Sequence, residues 1–257
     1  MSTSDSPGDP GPRDAWHFAS TRWSIVAAAG RKESPEAHAA LAVLCQTYWY
    51  PLYAYARRRL GRAEDAQDLT QEFFARLVEK DYLQAADPGR GKFRSFLLTA
   101  FQRFLAKEHA RAGAQKRGGD RRSLSLEFQD GEERYQHEPA DPTTPETLYQ
   151  RRWALTLLEQ ALARLRQEFT RTGRGQLFEA LKGTLTGDGT GEPYEQIGGE
   201  LGMSEPAVKT AAHRLRRRYQ ELLRAEVAQT VASPEEVEEE LRDLFAAVRR
   251  EKPPHGP

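Results

Sequence analysis

The stretch YEQIGGELGMSEPAVKTAAHRLRRRY, Tyr194 to Tyr219, decides how the rest of this chain is read. Its first eight residues make two helical turns with Ile197 and Leu201 on one side. Gly202 suits the end of that helix, because glycine enters the left-handed backbone region without a steric penalty. Ser204 follows as an N-cap, and Pro206 falls in the first turn of a second helix. At about 100° per residue, Val208, Ala211, Ala212, Leu215, Tyr219 and Leu222 share one face. Pro206, Thr210, His213 and Arg217 point the other way, with Lys209 and Arg214 beside them. Two abutting helices with a short glycine-containing turn make a helix-turn-helix layout. The small residues Ala207, Ala211 and Ala212 let the first helix approach closely. In a major groove, the polar tips near the helix N-terminus reach base edges and the later arginines hold phosphates. The competing reading is a solvated basic face on an ordinary helix hairpin. The capped turn, the glycine position and the outward cations together favour the groove.

Working outward, the patterning stays helical. Ser34 and Pro35 open a helix expected to run toward Leu60, with Leu41, Leu44, Tyr48, Leu52 and Tyr55 at helical spacing. Pro51 inside it suggests a kink or break, and Gly61 a stop. AEDAQDLTQEFFARLVEK, residues 63–80, places Ala66, Leu69, Phe73 and Leu77 on one face. Glu64, Asp68, Gln71, Glu72 and Glu79 lie on or near the other. FRSFLLTAFQRFLAKEHARA, residues 93–112, turns Phe93, Phe96, Leu97, Ala100, Phe101 and Phe104 inward. That spacing makes the phenylalanines core residues rather than a stacking platform. Helical patterning returns over residues 145–169 and 175–183.

No alternating strand pattern is present, so the expected fold is all-α, with two helical domains at 15–112 and 146–230. Residues 113–145 read as a linker and 1–14 as a disordered tail. WHFASTRWSIVAAAG, residues 16–30, suggests a short helix anchored by Trp16, Phe18, Trp23 and Val26. QAADPGRGK (84–92) and GTLTGDGTGEP (183–193) read as loops. A C-terminal extension, 231–257, carries a helix opened by Ser233, Pro234 and Glu236. Its apolar stripe of Val237, Leu241, Leu244, Phe245 and Val248 must pack on something.

Composition narrows the function. The 257 residues carry 38 basic and 38 acidic side chains, so net charge is zero. The charge is segregated, however: Glu64, Asp65, Asp68 and Glu72 stand with no base between them. From Arg103 to Arg122, seven cations face Glu108 and Asp120 alone. Cys45 is the one cysteine, so an internal disulfide and a cysteine-based zinc cluster are excluded. Its apolar neighbours make it a buried small hydrophobe. The six histidines show no metal spacing. No phosphate-cradling glycine loop and no nucleophile elbow occurs. These absences argue against an enzyme and against a metal or cofactor. No apolar run is long enough to span a bilayer, so no membrane insertion is expected, and the expected location is cytoplasmic.

YEQIGGELGMSEPAVKTAAHRLRRRYQELLR resembles the fourth domain of bacterial sigma factors of the extracytoplasmic-function class. AEDAQDLTQEFFARLVEK resembles the second-domain helix of that class, whose usual form is close to D-A-E-D-L-x-Q-E-x-F. GKFRSFLLTAFQRFLAKEHARA is similar to the promoter-melting segment that follows it, usually F-R-x-W-L, with Phe96 here in place of the tryptophan. The motifs stand in the family's order and cover about residues 36–112 and 146–230. The resemblance implies a non-enzymatic transcription initiation factor that binds core RNA polymerase and promoter DNA. It implies polymerase docking through Glu64, Asp65, Asp68, Gln71 and Glu72. It implies recognition and melting of the −10 element through the loop Ala85–Lys92, with Asp87, Arg90 and Lys92, and through Arg94, Gln102, Arg103, Lys107, His109 and Arg111 behind it. For the −35 element it implies Ser204, Glu205, Lys209, Thr210, His213, Arg214, Arg216 and Arg217. Family members are often held by an anti-sigma factor, and nothing in this sequence identifies one.

The alternative is a stand-alone helix-turn-helix regulator that binds duplex DNA without polymerase. It leaves the pattern over residues 60–112 unexplained. A purely structural helical scaffold accounts for the amphipathicity but not for the paired motifs.

Overall fold

A computed structural model describes residues 35–79, 92–114, 131–137, 144–186, 193–228, 231 and 233–249, with side chains except at 35–41, 78–79, 112–114 and 186. The expected helix around Trp16, Phe18, Trp23 and Val26, and the loop with Asp87 and Arg90, lie outside these residues. The fold is all-α, and among the described residues no strand occurs. The helices are α1 Pro35–Leu60, α2 Ala63–Glu79, α3 Phe93–Ala114, α4 Gly131–Gln136, α5 Pro145–Arg171, α6 Gly175–Leu181, α7 Gly183–Thr186, α8 Tyr194–Leu201, α9 Glu205–Ala228 and α10 Val237–Arg249. One turn of 3-10 helix, Pro234–Glu236, leads into α10.

Side-chain character explains the architecture. In α1, Leu44, Tyr48, Leu52 and Tyr55 are buried at the expected spacing. The helix continues through Pro51 as one element, so the break that proline could have caused does not occur. Pro51 is buried in a run of aromatic residues, Trp49, Tyr50 and Tyr53 among them. Packing of that run offsets the one backbone bond the ring removes. Phe73 of α2 meets Phe101 of α3 edge-on at 4.9 Å between ring centres. Tyr48 meets Phe93 at 5.4 Å and Tyr55 meets Phe101 at 6.0 Å. The α3 phenylalanines are thus core residues, as their spacing required.

α5 ties the two halves together. Thr144 caps it by accepting a hydrogen bond from the Thr147 amide, and Pro145 opens the first turn. Its apolar face, with Tyr149, Trp153, Leu157 and Leu165 fully buried, joins a single hydrophobic cluster running from α1 to α10. Near its start, Tyr149 donates to the Arg94 carbonyl on α3 at 3.0 Å. Further along, Gln160 donates to the Thr47 hydroxyl on α1 at 3.2 Å. Beyond that, Tyr219 of α9 donates to the Leu158 carbonyl and Arg218 of α9 pairs with Glu168 at 2.7 Å.

Two short helices fall where loop or linker was expected. Gly183–Thr186 forms a single turn, with the Leu185 amide bonded to the Lys182 carbonyl. Gly131–Gln136 is seated on α1: a Cβ at Gly131 would lie 2.7 Å from the Trp49 ring. Glu132 there accepts from the Tyr53 hydroxyl and from Arg57 at 2.9 Å. The seat is built from a close glycine contact, the polar bonds of Glu132 and the contacts of Tyr135 and Arg134 with α1 side chains rather than from a periodic apolar face. The apolar stripe of α10 packs on α5 and α9, with Leu241 and Leu244 buried and Phe245 left exposed. No helix among the described residues is long and apolar enough to cross a membrane.

Candidate functional site

Three surfaces carry the residues singled out from the sequence. On α2, Glu64 and Asp68 are exposed and Asp65, Gln71 and Glu72 are partly so. The face has cationic edges that the spacing did not show. Arg62 pairs with Glu64 at 3.1 Å and with Asp65 at 3.7 Å. Glu72 is ion-paired to Arg76, which also reaches Glu108 of α3 at 2.8 Å and lies over the Phe104 ring. Glu72 therefore belongs to the α2–α3 joint as much as to the outer face. Glu64 and Asp68 form its outermost part.

The α3 residues divide into two groups. Arg103, Lys107 and Arg111 recur every four residues and are exposed, continuing the line of Ser95 and Thr99. Arg103 and Lys107 make no ion pair among the described residues; Arg111 pairs with Glu108 at 3.1 Å. His109 is exposed beside this stripe. Gln102 is turned aside, donating to the Tyr55 hydroxyl and to Glu146 at 3.1 Å each. Lys92 and Arg94 face the C-terminal helix. Arg94 is 7% exposed. Its guanidinium meets Glu240 through Nε at 2.6 Å and Nη2 at 3.0 Å, and it lies over the Trp153 ring at 4.5 Å. Burial works against the Arg94 charge, but the Glu240 and Asp243 carboxylates outweigh it and push its pKa up. Lys92 reaches Glu240 at 2.9 Å and Asp243 at 2.6 Å. Asp87 and Arg90 lie outside the described residues.

The third surface is the helix pair α8 and α9. Gly202 adopts φ +63° at the end of α8, as a left-handed cap requires. The Met203 amide donates to the Gly198 carbonyl at 2.8 Å, closing the turn. Gly198 itself is buried, and a Cβ there would come within 2.6 Å of the Met203 carbonyl oxygen. Only glycine fits that close approach. Ile197, Val208, Ala212 and Leu215 are buried beneath. Ser204, Glu205, Lys209, Thr210, His213, Arg214, Arg216 and Arg217 are all exposed on α9 or just before it.

Their bonding separates them. Lys209 pairs with Glu205 at 2.7 Å, which holds its ammonium above the ordinary lysine pKa. Arg217 pairs with Glu221 at 3.1 Å, and Thr210 donates to the Pro206 carbonyl. Arg216 braces the scaffold, donating to the Thr184 carbonyl at 3.2 Å and the Tyr194 hydroxyl at 2.8 Å. Arg218, third in the same run, is a structural bridge to Glu168. His213 and Arg214 make no polar contact among the described residues. Sequence reasoning missed the engagement of Lys92 and Arg94 by α10. The acid run Glu238–Glu240 with Asp243 was the one signal for it.

An acidic helix face, a basic stripe on the next helix and a second outward cationic helix thus stand on one chain. Residues 45–114, which run from within α1 to the end of α3, match the family model of sigma-70 region 2. The match covers roughly a quarter of the chain; factors of the sigma-70 family act in transcription initiation and are not enzymes. Sigma region 2 binds core RNA polymerase and promoter DNA. No curated protein and no solved structure matched the chain.

Proposed function

We propose that this chain is a sigma factor of the extracytoplasmic-function class, bringing core RNA polymerase to promoters with −10 and −35 elements. One observation carries the reading: the region 2 match over residues 45–114 is followed in the same chain by a tight-turned helix pair with outward cations. In this reading Glu64, Asp65 and Asp68 of α2 dock on a basic surface of core polymerase. The Arg103, Lys107 and Arg111 stripe of α3 follows the promoter backbone at the −10 element. The N-terminal turns of α9 enter the major groove at the −35 element. The domain plan, 15–112 for region 2 and 146–230 for the −35 reader, belongs to the same proposal, with α5 and α10 joining the two. Purified core enzyme supplied with a promoter library tests it. A sigma factor directs run-off transcripts from a specific subset and comigrates with core enzyme. Duplex binding by the free chain with no transcripts and no comigration would mean a stand-alone regulator instead.

A further inference from the structure

We propose that α10 is an intramolecular competitor for promoter phosphate, a clasp that occupies Lys92 and Arg94 until DNA displaces it. The proposal rests on the reading of α3 as a DNA-contacting helix. α3 carries two sets of cations. Arg103 and Lys107 are exposed without acidic partners among the described residues. Lys92 and Arg94, at the start of the same helix, face three carboxylates of α10. Arg94 meets Glu240 through two roughly parallel N–H bonds, the same fork geometry that a phosphate uses.

Arg94 is held chiefly by Glu240, which is fully buried, while its Nη2 also reaches Asp243 at 2.9 Å. Glu239 and Asp243 form the open side of the cluster: their side chains are 59% and 47% exposed, and both reach Lys92. Three carboxylates against two cations leave the cluster with surplus negative charge, which repels a phosphate approaching the start of α3. The seat of α10 combines this cluster with an apolar stripe, on which Val237 and Val248 are half-buried against the core. Leu241 and Leu244 are buried, while Phe245 on the same stripe is exposed. A helix of 13 residues is marginal in water once its packing is lost. Release of α10 is therefore readable as unfolding of that segment.

Hydrogen–deuterium exchange on the full chain, at low salt, with and without a mixed-sequence DNA duplex, reads this directly. DNA is expected to protect the α3 stripe and to speed exchange over residues 237–249 by about tenfold or more. In parallel, Glu239→Gln with Asp243→Asn leaves the buried Arg94–Glu240 pair in place. That variant is expected to bind the duplex about three- to tenfold more tightly, with a steeper salt dependence from the released Lys92. Protection of α3 with unchanged exchange in α10, or unchanged affinity of the variant, overturns the clasp and leaves α3 as the DNA contact. Protection of neither α3 nor α9 overturns the DNA-contact reading itself, and the clasp falls with it.

Discussion

Lys209 and Arg217 stand about two turns apart on α9, and each has an acid four residues away. Exposed pairs of this kind add little to helix stability, because solvent screens them. Either cation can therefore leave its glutamate for DNA at small cost. Their positions give them different roles. Lys209 lies in the first turns, which enter the groove, so Lys209→Ala should change which −35 variants are used. Each lost base contact is worth on the order of 1–3 kcal/mol of discrimination. Arg217→Ala should weaken all promoters about equally and lower the salt slope by about one phosphate contact. Transcription from randomised upstream elements with each variant decides between them. The same uniform loss from both would sink the orientation proposed for α9. The neighbours of Arg217 are poor substitutes in such an experiment. Arg218 bridges to Glu168 on α5 and Arg216 braces α7 and α8, so their loss reports on folding first. The run Arg216–Arg218 was legible as basic. Its division into one surface cation and two braces was not, since it depends on what α5, α7 and α8 bring alongside.

α2 shows the same mixture at the scale of an element. Glu64→Arg with Asp68→Arg reverses the outermost charge of the helix and leaves Phe73 and Leu77 packed. Binding to core polymerase should weaken, by several kcal/mol if the acids are desolvated in the complex and by much less if they lie on its rim. A folded double variant with unchanged affinity would remove this face from the docking surface. Glu72→Arg is the wrong probe. It would set two arginines four residues apart and break the Glu72–Arg76–Glu108 chain that joins α2 to α3. Periodicity alone made Glu72 an outward acid, because helical spacing gives a direction and not the neighbour that meets it. The elements themselves were readable. α1, α2, α3 and α8 begin and end within about two residues of their sequence signals, and α9 begins at its own, since proline, glycine and apolar spacing mark them locally. α4 was hidden. Glu132 needs Arg57 and Tyr53, and Gly131 needs the Trp49 ring, from residues about 75 to 82 positions away. The seat of α10 was hidden for the same reason, as Arg94 and Glu240 are 146 positions apart.

Across the whole molecule, ion pairs of this long-range kind make stability depend on pH. Arg57 holds the Glu132 carboxyl below the ordinary range through their hydrogen bonds. Arg218 does the same for Glu168, and Lys92 for Asp243. The three pairs link α1 to α4, α9 to α5 and α3 to α10. A carboxyl with a depressed folded-state pKa takes up a proton on unfolding as pH falls past its ordinary value near 4. Its contribution is therefore complete above about pH 5 and is lost as pH falls through the folded-state value. The rest of the chain acts in the same direction, because protonating 38 acids leaves 38 bases unbalanced. Glu168→Gln separates the specific effect from the general one. Arg218 and Glu168 are each about one-third exposed, so their pair is worth about 0.2–1 kcal/mol. The variant should melt lower at pH 7 by roughly 1–4 °C for a chain of this size. It should also lose less stability than wild type between pH 5 and pH 3, since one titrating carboxyl is gone. Melting curves over that range are the measurement. Two profiles that stay parallel throughout would show that Glu168 titrates alike in the folded and unfolded chains, and that the Arg218–Glu168 pair adds nothing to the joint between α5 and α9.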